Sequence, residues 1–359
     1  MLSRIKGRWN YLIMALLLVF LVLLPFNWFL GKYTYLMINI GISTMVTVGL
    51  CLLMGYTGQV SLGQAAFYGL GAYFSAVLST KYGYNPWLAM FLAAIVTGAF
   101  AYIIGYPMFR LRGNYLAIAT LAVGVIMDIL FNQLGQYTGG PDGMSGIPHM
   151  SIGGFVFDTN FKRYFLIWFF CLAILFLSQN IVRSRTGRAL RAIHGNEAAA
   201  ESIGINVTRF KVKIFVLSSV YASLAGSLYA YHANHIGPST FDFLASIKFV
   251  VMAVIGGLAS IWGAIFGAGT TRILSDQILL GLTKYPQLDI IIYGLILVLI
   301  MIFMPQGLFI SIKAGLLWLK LNWRNLPSII KRNREEFPGR IKNFFERLPL
   351  ARLWRKSEP

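Results

Sequence analysis

Charged residues are scarce in this chain, and acidic ones scarcer still. Lysine and arginine number 31 against 12 aspartates and glutamates, so charge occupies 12% of 359 positions and the net charge is +19. A soluble domain carries roughly twice that charged fraction. Cysteine is nearly missing. Cys51 and Cys171 are the only two, both inside apolar runs, which offers nothing to a disulfide framework and little to a metal. Histidine occurs four times, at His149, His194, His232 and His235. His232 and His235 are close enough to share a helix face, but no carboxylate cluster accompanies them, so they read as interfacial polar residues. There is no GxxxxGK[ST], no HExxH, and no recognisable set of Ser, His and Asp. ATP binding by a phosphate loop, zinc-assisted hydrolysis and serine nucleophilic catalysis are therefore not expected, and no cofactor or metal is called for.

What the chain has instead is apolar length. Apolar residues make up 57%, mean hydropathy is +0.67, and runs of about 20 residues follow one another, the signature of a polytopic helical membrane protein. The fold class is all-α, with about ten transmembrane segments. They read as Tyr11–Leu30, Tyr35–Met54, a short Tyr68–Thr80, Trp87–Phe109, Tyr115–Leu134, Tyr164–Val182, Ile214–Tyr231, a short Ser246–Leu258, Gly263–Thr283 and Leu288–Ile310. Eight is the competing count, if Gly55–Thr80 and Ser246–Thr283 are each re-entrant. The first run, preceded by Arg4, Lys6 and Arg8, is too long for a cleaved signal and reads as a membrane helix.

Charge orients this layout. Residues 1–10, Arg110 and Arg112, the stretch 183–213 and the tail 311–359 are basic and fall on one face, so both termini are expected in the cytoplasm. The intervening 11–310 is the membrane domain. The opposite face carries the long loop 135–163, whose GGPDGMSGIP forces turns and whose SIGGFVFD alternates like a small hairpin. The basic excess sits between apolar runs, which fits anionic lipid rather than nucleic acid.

The longest polar interruption, Arg183 to Lys213, reads as two short helices. Gly195 breaks the first, Asn196 caps the second with Glu197 in its first turn, and Gly204 stands where a left-handed C-cap would end it. Leu190, Ile193, Ala200 and Ile203 recur at helical spacing and could form one apolar face. On these residues alone the stretch is either an amphipathic connector or a docking element.

Four further features stand out. Gly58, Gln59, Ser61, Gly63 and Gln64 bring polar, irregular backbone to membrane depth, which is tolerated only if buried in protein or lining a wet cavity. They are candidates for a pathway or an interface, or are simply tight packing. Asp128 is an intramembrane carboxylate, facing the interior or the outer rim. Arg272 and Asp276 are spaced to pair on one helix face. Gly263 and Gly267 form a GxxxG packing seam, and the glycines from Gly256 to Gly269 echo those of GYTGQVSLGQAAFYGLGAY as a possible parallel repeat.

GYTGQVSLGQAAFYGLGAY, FRLRGNYLAIATLAVG, TGGPDGMSGIP and GRALRAIHGNEAAAESIGINVTRFK, in this order over roughly residues 35–310, resemble the permease subunits of branched-chain amino-acid ABC importers of the LivM type. The resemblance implies a multi-pass permease in the (inner) cell membrane of a bacterium or archaeon, and not an enzyme. Its implied partners are two ATP-binding subunits that hydrolyse ATP, a second, sister permease, a periplasmic or extracellular substrate-binding protein, and membrane lipid. It also implies that Gly187, Arg188, Leu190, Arg191, Glu197, Ala198, Ala199 and Gly204 belong to a cytoplasmic coupling element that docks into the ATPase. Permeases for urea and short amides are similar, and a gradient-driven carrier is the rival from another class.

Overall fold

The computed structural model describes residues 33–109, 115–275 and 294–295. The expected first and last segments, Arg110, Arg112, Asp276 and the tail lie outside the described residues. Within them the chain is a helical bundle. Helix α1 (Thr34–Leu50) continues as a π turn through Gly55, followed by α2 (Gln64–Thr80), α3 (Pro86–Met108), α4 (Tyr115–Gln133) and α5 (Asn160–Arg183). Two short helices, α6 (Arg185–Gly195) and α7 (Glu197–Ser202), lead into α8 (Val207–Ala233), α9 (Phe243–Gly256) and α10 (Ile261–Ile273). Among the described residues, six stretches are long and apolar enough to cross a membrane: Thr34–Gly55, Pro86–Met108, Tyr115–Gln133, Asn160–Arg183, Val207–Ala233 and Pro238–Gly256.

Several helices start earlier than hydropathy places them, because side-chain caps set their ends. Asn206 Oδ1 accepts from the Arg209 N–H at 3.0 Å, so α8 begins at Val207 and carries Lys211 and Lys213 inside it rather than starting at Ile214. Asp242 Oδ1 likewise accepts from Ala245 N at 2.8 Å and starts α9 ahead of Ser246. Thr159 opens α5 before Tyr164.

The centre of the bundle is the contact of α2 with α8. Apolar burial supplies little drive between helices in lipid, so close packing and interhelical hydrogen bonds carry the association. A Cβ on Gly226 would lie 1.9 Å from the Tyr68 carbonyl oxygen, and one on Gly71 would lie 2.3 Å from that of Ser223. The backbones therefore touch. Ser227 Oγ donates to the Gly71 carbonyl at 3.0 Å, and Gln64 Nε2 donates to the Ser218 carbonyl and hydroxyl, both at 2.9 Å. Helix α1 is equally central, with 94% of its most apolar window buried against 28% for α4, which lies at the rim.

The two ends of the bundle differ. At one end sit α6 and α7. The other end is closed by loops: β1 (Met144–Ser145) pairs antiparallel with β4 (His235–Ile236), and β2 (Ser151–Ile152) with β3 (Phe155–Val156). The second pair is the hairpin read from SIGGFVFD. Arg163 Nη1 donates to the His232 carbonyl at 2.9 Å and Trp87 Nε1 to that of Ser151 at 2.8 Å, knitting the loops to the helices. Lys162 holds Asp158 at 2.7 Å, and that hydrogen bond keeps the carboxyl below the usual carboxylate range. His232 and His235 do not share a helix face, because Asn234 turns left-handed and ends α8 between them.

Candidate functional site

Two breaks interrupt the helices, and they meet. After Thr57 the chain turns at Gly58, which has φ +71°, and reaches Gln64 in non-helical form. After Gly256 it turns at Gly257, with φ +100°, before Ser260 caps α10. A Cβ on Gly55 would sit 1.8 Å from the Leu258 carbonyl oxygen, and Tyr56 Oη donates to the Ala259 carbonyl at 2.9 Å. The two glycine-rich stretches thus touch, and both preceding helices, α1 and α9, run toward the same end. The seam at Gly263 and Gly267 is internal to the chain. Gly263 packs on the Gly256 carbonyl and Gly267 on that of Met252.

The stretch from Gln59 to Gly63 climbs into the bundle. Gln64 is level with Ser218, eleven residues into α8, which is about 16 Å of helix rise. Ser61 and Gln64 are fully buried. Leu62 N donates to Thr120 Oγ1 at 3.0 Å, and Gly63 lies against the Thr120 carbonyl. From Ser61 to Gln64 the irregular backbone is therefore packed in protein, on α4 and α8, whereas Gly58 and Val60 before it are exposed. Asp128, on α4, accepts from Asn132 Nδ2 at 3.2 Å and is partly buried at the rim.

A cavity of about 590 Å³ opens between the beginnings of α1 and α9, beyond Tyr68 of α2, and none of Gly58, Gln59, Ser61, Gly63, Gln64 and Asp128 lines it. Its polar wall includes Asn39, Tyr68, Tyr229, Asp242, Lys248 and Arg272. Its apolar wall includes Leu36, Leu244, Phe249 and Met252. Arg272 Nε donates to Ser43 Oγ at 2.9 Å, which directs the guanidinium toward α1. Sequence reading singled out Arg272 but missed Asp242 and Lys248. The N-cap position of Asp242, three residues before Ala245, was the available signal.

At the opposite side of the break lies the basic element. Asn196 Oδ1 accepts from Ala199 N at 3.0 Å and opens α7. Its far end closes as a Schellman turn: Gly204 at φ +83° donates to the Glu201 carbonyl at 2.9 Å, and Ile205 N to that of Ala200 at 3.1 Å. That turn corrects one expectation. Leu190, Ile193 and Ala200 are buried, but Ile203 is 72% exposed, because the reversal at Gly204 sends Ile205 back onto Ile193, Ala200 and Val207 in its place. Gly187 packs on the Val182 carbonyl, and Arg191 Nη1 donates to that same oxygen at 3.1 Å. Arg188, Ala198, Ala199 and Gly204 are exposed.

Glu197 ties this element to the break. One carboxylate oxygen accepts from Lys211 Nζ at 2.7 Å and the other from Gln59 Nε2 at 3.2 Å. His194 lies against Gly58, where a Cβ would be 2.9 Å from Nδ1. Lys211 is 4% exposed, and among the described residues Glu197 is its one carboxylate partner. A buried ammonium without such a partner is strongly destabilising. Sequence reading passed over Lys211, although it shares a helix face with Val207, Ile214 and Ser218, all buried.

The family described as branched-chain amino acid transport system, permease component, matches residues 32–301. The high-affinity branched-chain amino acid transport system permease protein LivM of Salmonella typhimurium is 32% identical over 324 residues, covering 83% of this chain and 74% of the relative. BraD of Pseudomonas aeruginosa, of the same description, is 29% identical over 74% of this chain and 90% of its own length. The probable permease protein LivH of Methanocaldococcus jannaschii is 26% identical, over 77% and 90%. With three quarters of its length matched and the bundle, paired breaks and capped basic element in place, the chain belongs to the branched-chain amino-acid transport permease family.

Proposed function

We propose that this protein is a pathway-forming permease subunit of an ABC importer for branched-chain amino acids, driven by ATP hydrolysis in separate partner subunits. The observation that carries the coupling is the Glu197 bridge. It links an exposed knob, Ala198, Ala199 and Ile203, to both α8 and the break that leads into α2. A partner gripping that knob would pull on the irregular backbone that leads into α2. The knob is small and apolar at its tip, which suits entry into a cleft of an ATP-binding subunit, and Arg188 and Arg191 flank it with positive charge.

The cavity fits the cargo. An aliphatic amino acid is a zwitterion with an apolar side chain. Asp242 offers a negative wall, Lys248 and Arg272 a positive one, and Leu36, Phe249 and Met252 an apolar one. α9 begins at its edge with Asp242 as N-cap, and transport proteins often place helix termini at their pathways. The full topology in this reading has ten membrane segments, with both termini and the α6–α7 knob in the cytoplasm. The hairpin end faces a substrate-binding protein, and a sister permease completes the pathway in the cell (inner) membrane.

The test replaces Ile203 with Asp in the assembled transporter. ATP-binding subunits should fail to co-purify and leucine uptake should fall at least tenfold, while the permease still inserts at normal level. Uptake that persists without nucleotide would argue for a gradient-driven carrier. Uptake displaced by urea rather than leucine would argue for an amide importer.

A further inference from the structure

A second concavity, of about 970 Å³, lies on the flank of the bundle near the end that carries α6 and α7. It is formed by Tyr102 and Tyr106 of α3 and by Asn206, Thr208, Arg209 and Lys213 at the start of α8. None of these residues belongs to the Glu197 bridge or to the first cavity.

Three observations together describe its occupant. Arg209 and Lys213 are four residues apart on one face of α8, both exposed, and neither has a carboxylate partner among the described residues. Like charges at that spacing repel, and an anion between them relieves the repulsion. Below them α3 presents a continuous outward stripe, Leu88, Phe91, Ile95, Tyr102, Ile103 and Tyr106, each between 46% and 70% exposed. From Leu88 to Tyr106 this stripe is about 27 Å long, close to the hydrocarbon thickness of a bilayer. The inner face of α3 is packed on α8 through Gly98 and Gly105, so the stripe faces outward from the bundle. Finally, the stripe ends in two tyrosines at the level of the cations, where aromatic rings mark the boundary between acyl chains and headgroups.

We propose that this groove is a binding site for an anionic phospholipid, with the headgroup phosphate held by Arg209 and Lys213 and an acyl chain lying along the α3 stripe. Charge complementarity and the apolar stripe select a lipid over a soluble anion. The stripe explains the exposed apolar length, and the two cations explain the sign of the headgroup.

The full-length protein is purified in detergent and titrated with phosphatidylglycerol or phosphatidylcholine, with bound lipids counted by native mass spectrometry. One cation beside an anionic headgroup is worth about fivefold in binding. R209Q/K213Q should therefore weaken the tightest phosphatidylglycerol adduct about 25-fold and leave phosphatidylcholine adducts unchanged. R185Q/R188Q, which removes equal charge from the α6 element, should leave both unchanged. Millimolar inorganic phosphate should not displace the lipid. Equal phosphatidylglycerol binding by the parent and R209Q/K213Q would overturn the proposal. So would displacement by phosphate, which identifies a soluble-anion site. A photo-reactive residue at position 103 should crosslink lipid in native membranes, and capture of a protein there instead would assign the face to a subunit interface and overturn the lipid site.

Discussion

Replacing Glu197 with Gln tests whether the bridge to Lys211 holds the basic element in place. The substitution keeps shape and hydrogen-bonding capacity but removes the charge opposite an ammonium whose side chain is 5% exposed. Opposite charges about 4 Å apart attract by roughly 4 kcal/mol at an effective dielectric of about 20. Glu197 is itself 45% exposed, so solvent screens the pair and hydrates what remains, which halves the effect to about 2 kcal/mol. Since 1.36 kcal/mol is a factor of ten, local opening of residues 185–205 should become about 30-fold more frequent. Hydrogen–deuterium exchange of those amides, with the protein in lipid nanodiscs, reads that number directly. K211M should cost less, under about 1 kcal/mol, because it leaves a half-exposed carboxylate that water can solvate. The double variant E197Q/K211M should recover most of the protection lost in E197Q, because the uncompensated buried ammonium is gone. Exchange in E197Q within threefold of the parent would refute the reasoning, and so would a double variant as open as E197Q.

The glycine seams make a sharper steric prediction: Gly267→Ala places a Cβ 1.9 Å from the Met252 carbonyl oxygen, whereas Gly269→Ala, on the same helix, meets nothing within 4 Å. Backbone must move in the first case, so thermal stability in detergent should fall by the equivalent of about 1–3 kcal/mol, while the second should hold or rise slightly. Equal behaviour of the two would refute the close α9–α10 contact. At Gly204, φ is +83° with open space around it, so Gly204→Ala should cost about 1–2 kcal/mol through backbone strain alone and Gly204→Asn less. Exchange of the Ile205 amide, which closes the Schellman turn, is the readout, and identical rates in both variants would count against the turn.

The order of elements was legible in the amino-acid sequence because it follows from local chemistry. Runs of about 20 apolar residues must be helices if they enter a bilayer, since every backbone group has to be paired internally. The caps at Asn196 and Gly204 were readable because their residue types are demanded by the turn itself. Helix starts at Asn160, Val207 and Phe243 were misplaced by three to seven residues for the opposite reason: hydropathy reports where apolar side chains begin, while a cap fixes where hydrogen bonding begins. Ile203 has the right spacing for a buried face and is exposed, because helical periodicity stops at the residue where α7 reverses.

Sequence alone therefore determined a helical membrane chain, the order of its described helices, its capped polar element and its family resemblance, all set by neighbours within about one helical turn or by composition. Tertiary structure alone decided that the two glycine breaks touch, that Glu197 turns inward to a buried Lys211, and that Asn39, Asp242, Lys248 and Arg272 share a cavity. Those pairings join residues up to 233 positions apart, from Asn39 to Arg272. Which of many similar small-residue faces and scattered charges come together is settled by how helices pack, and packing is a property of surfaces that no single segment carries.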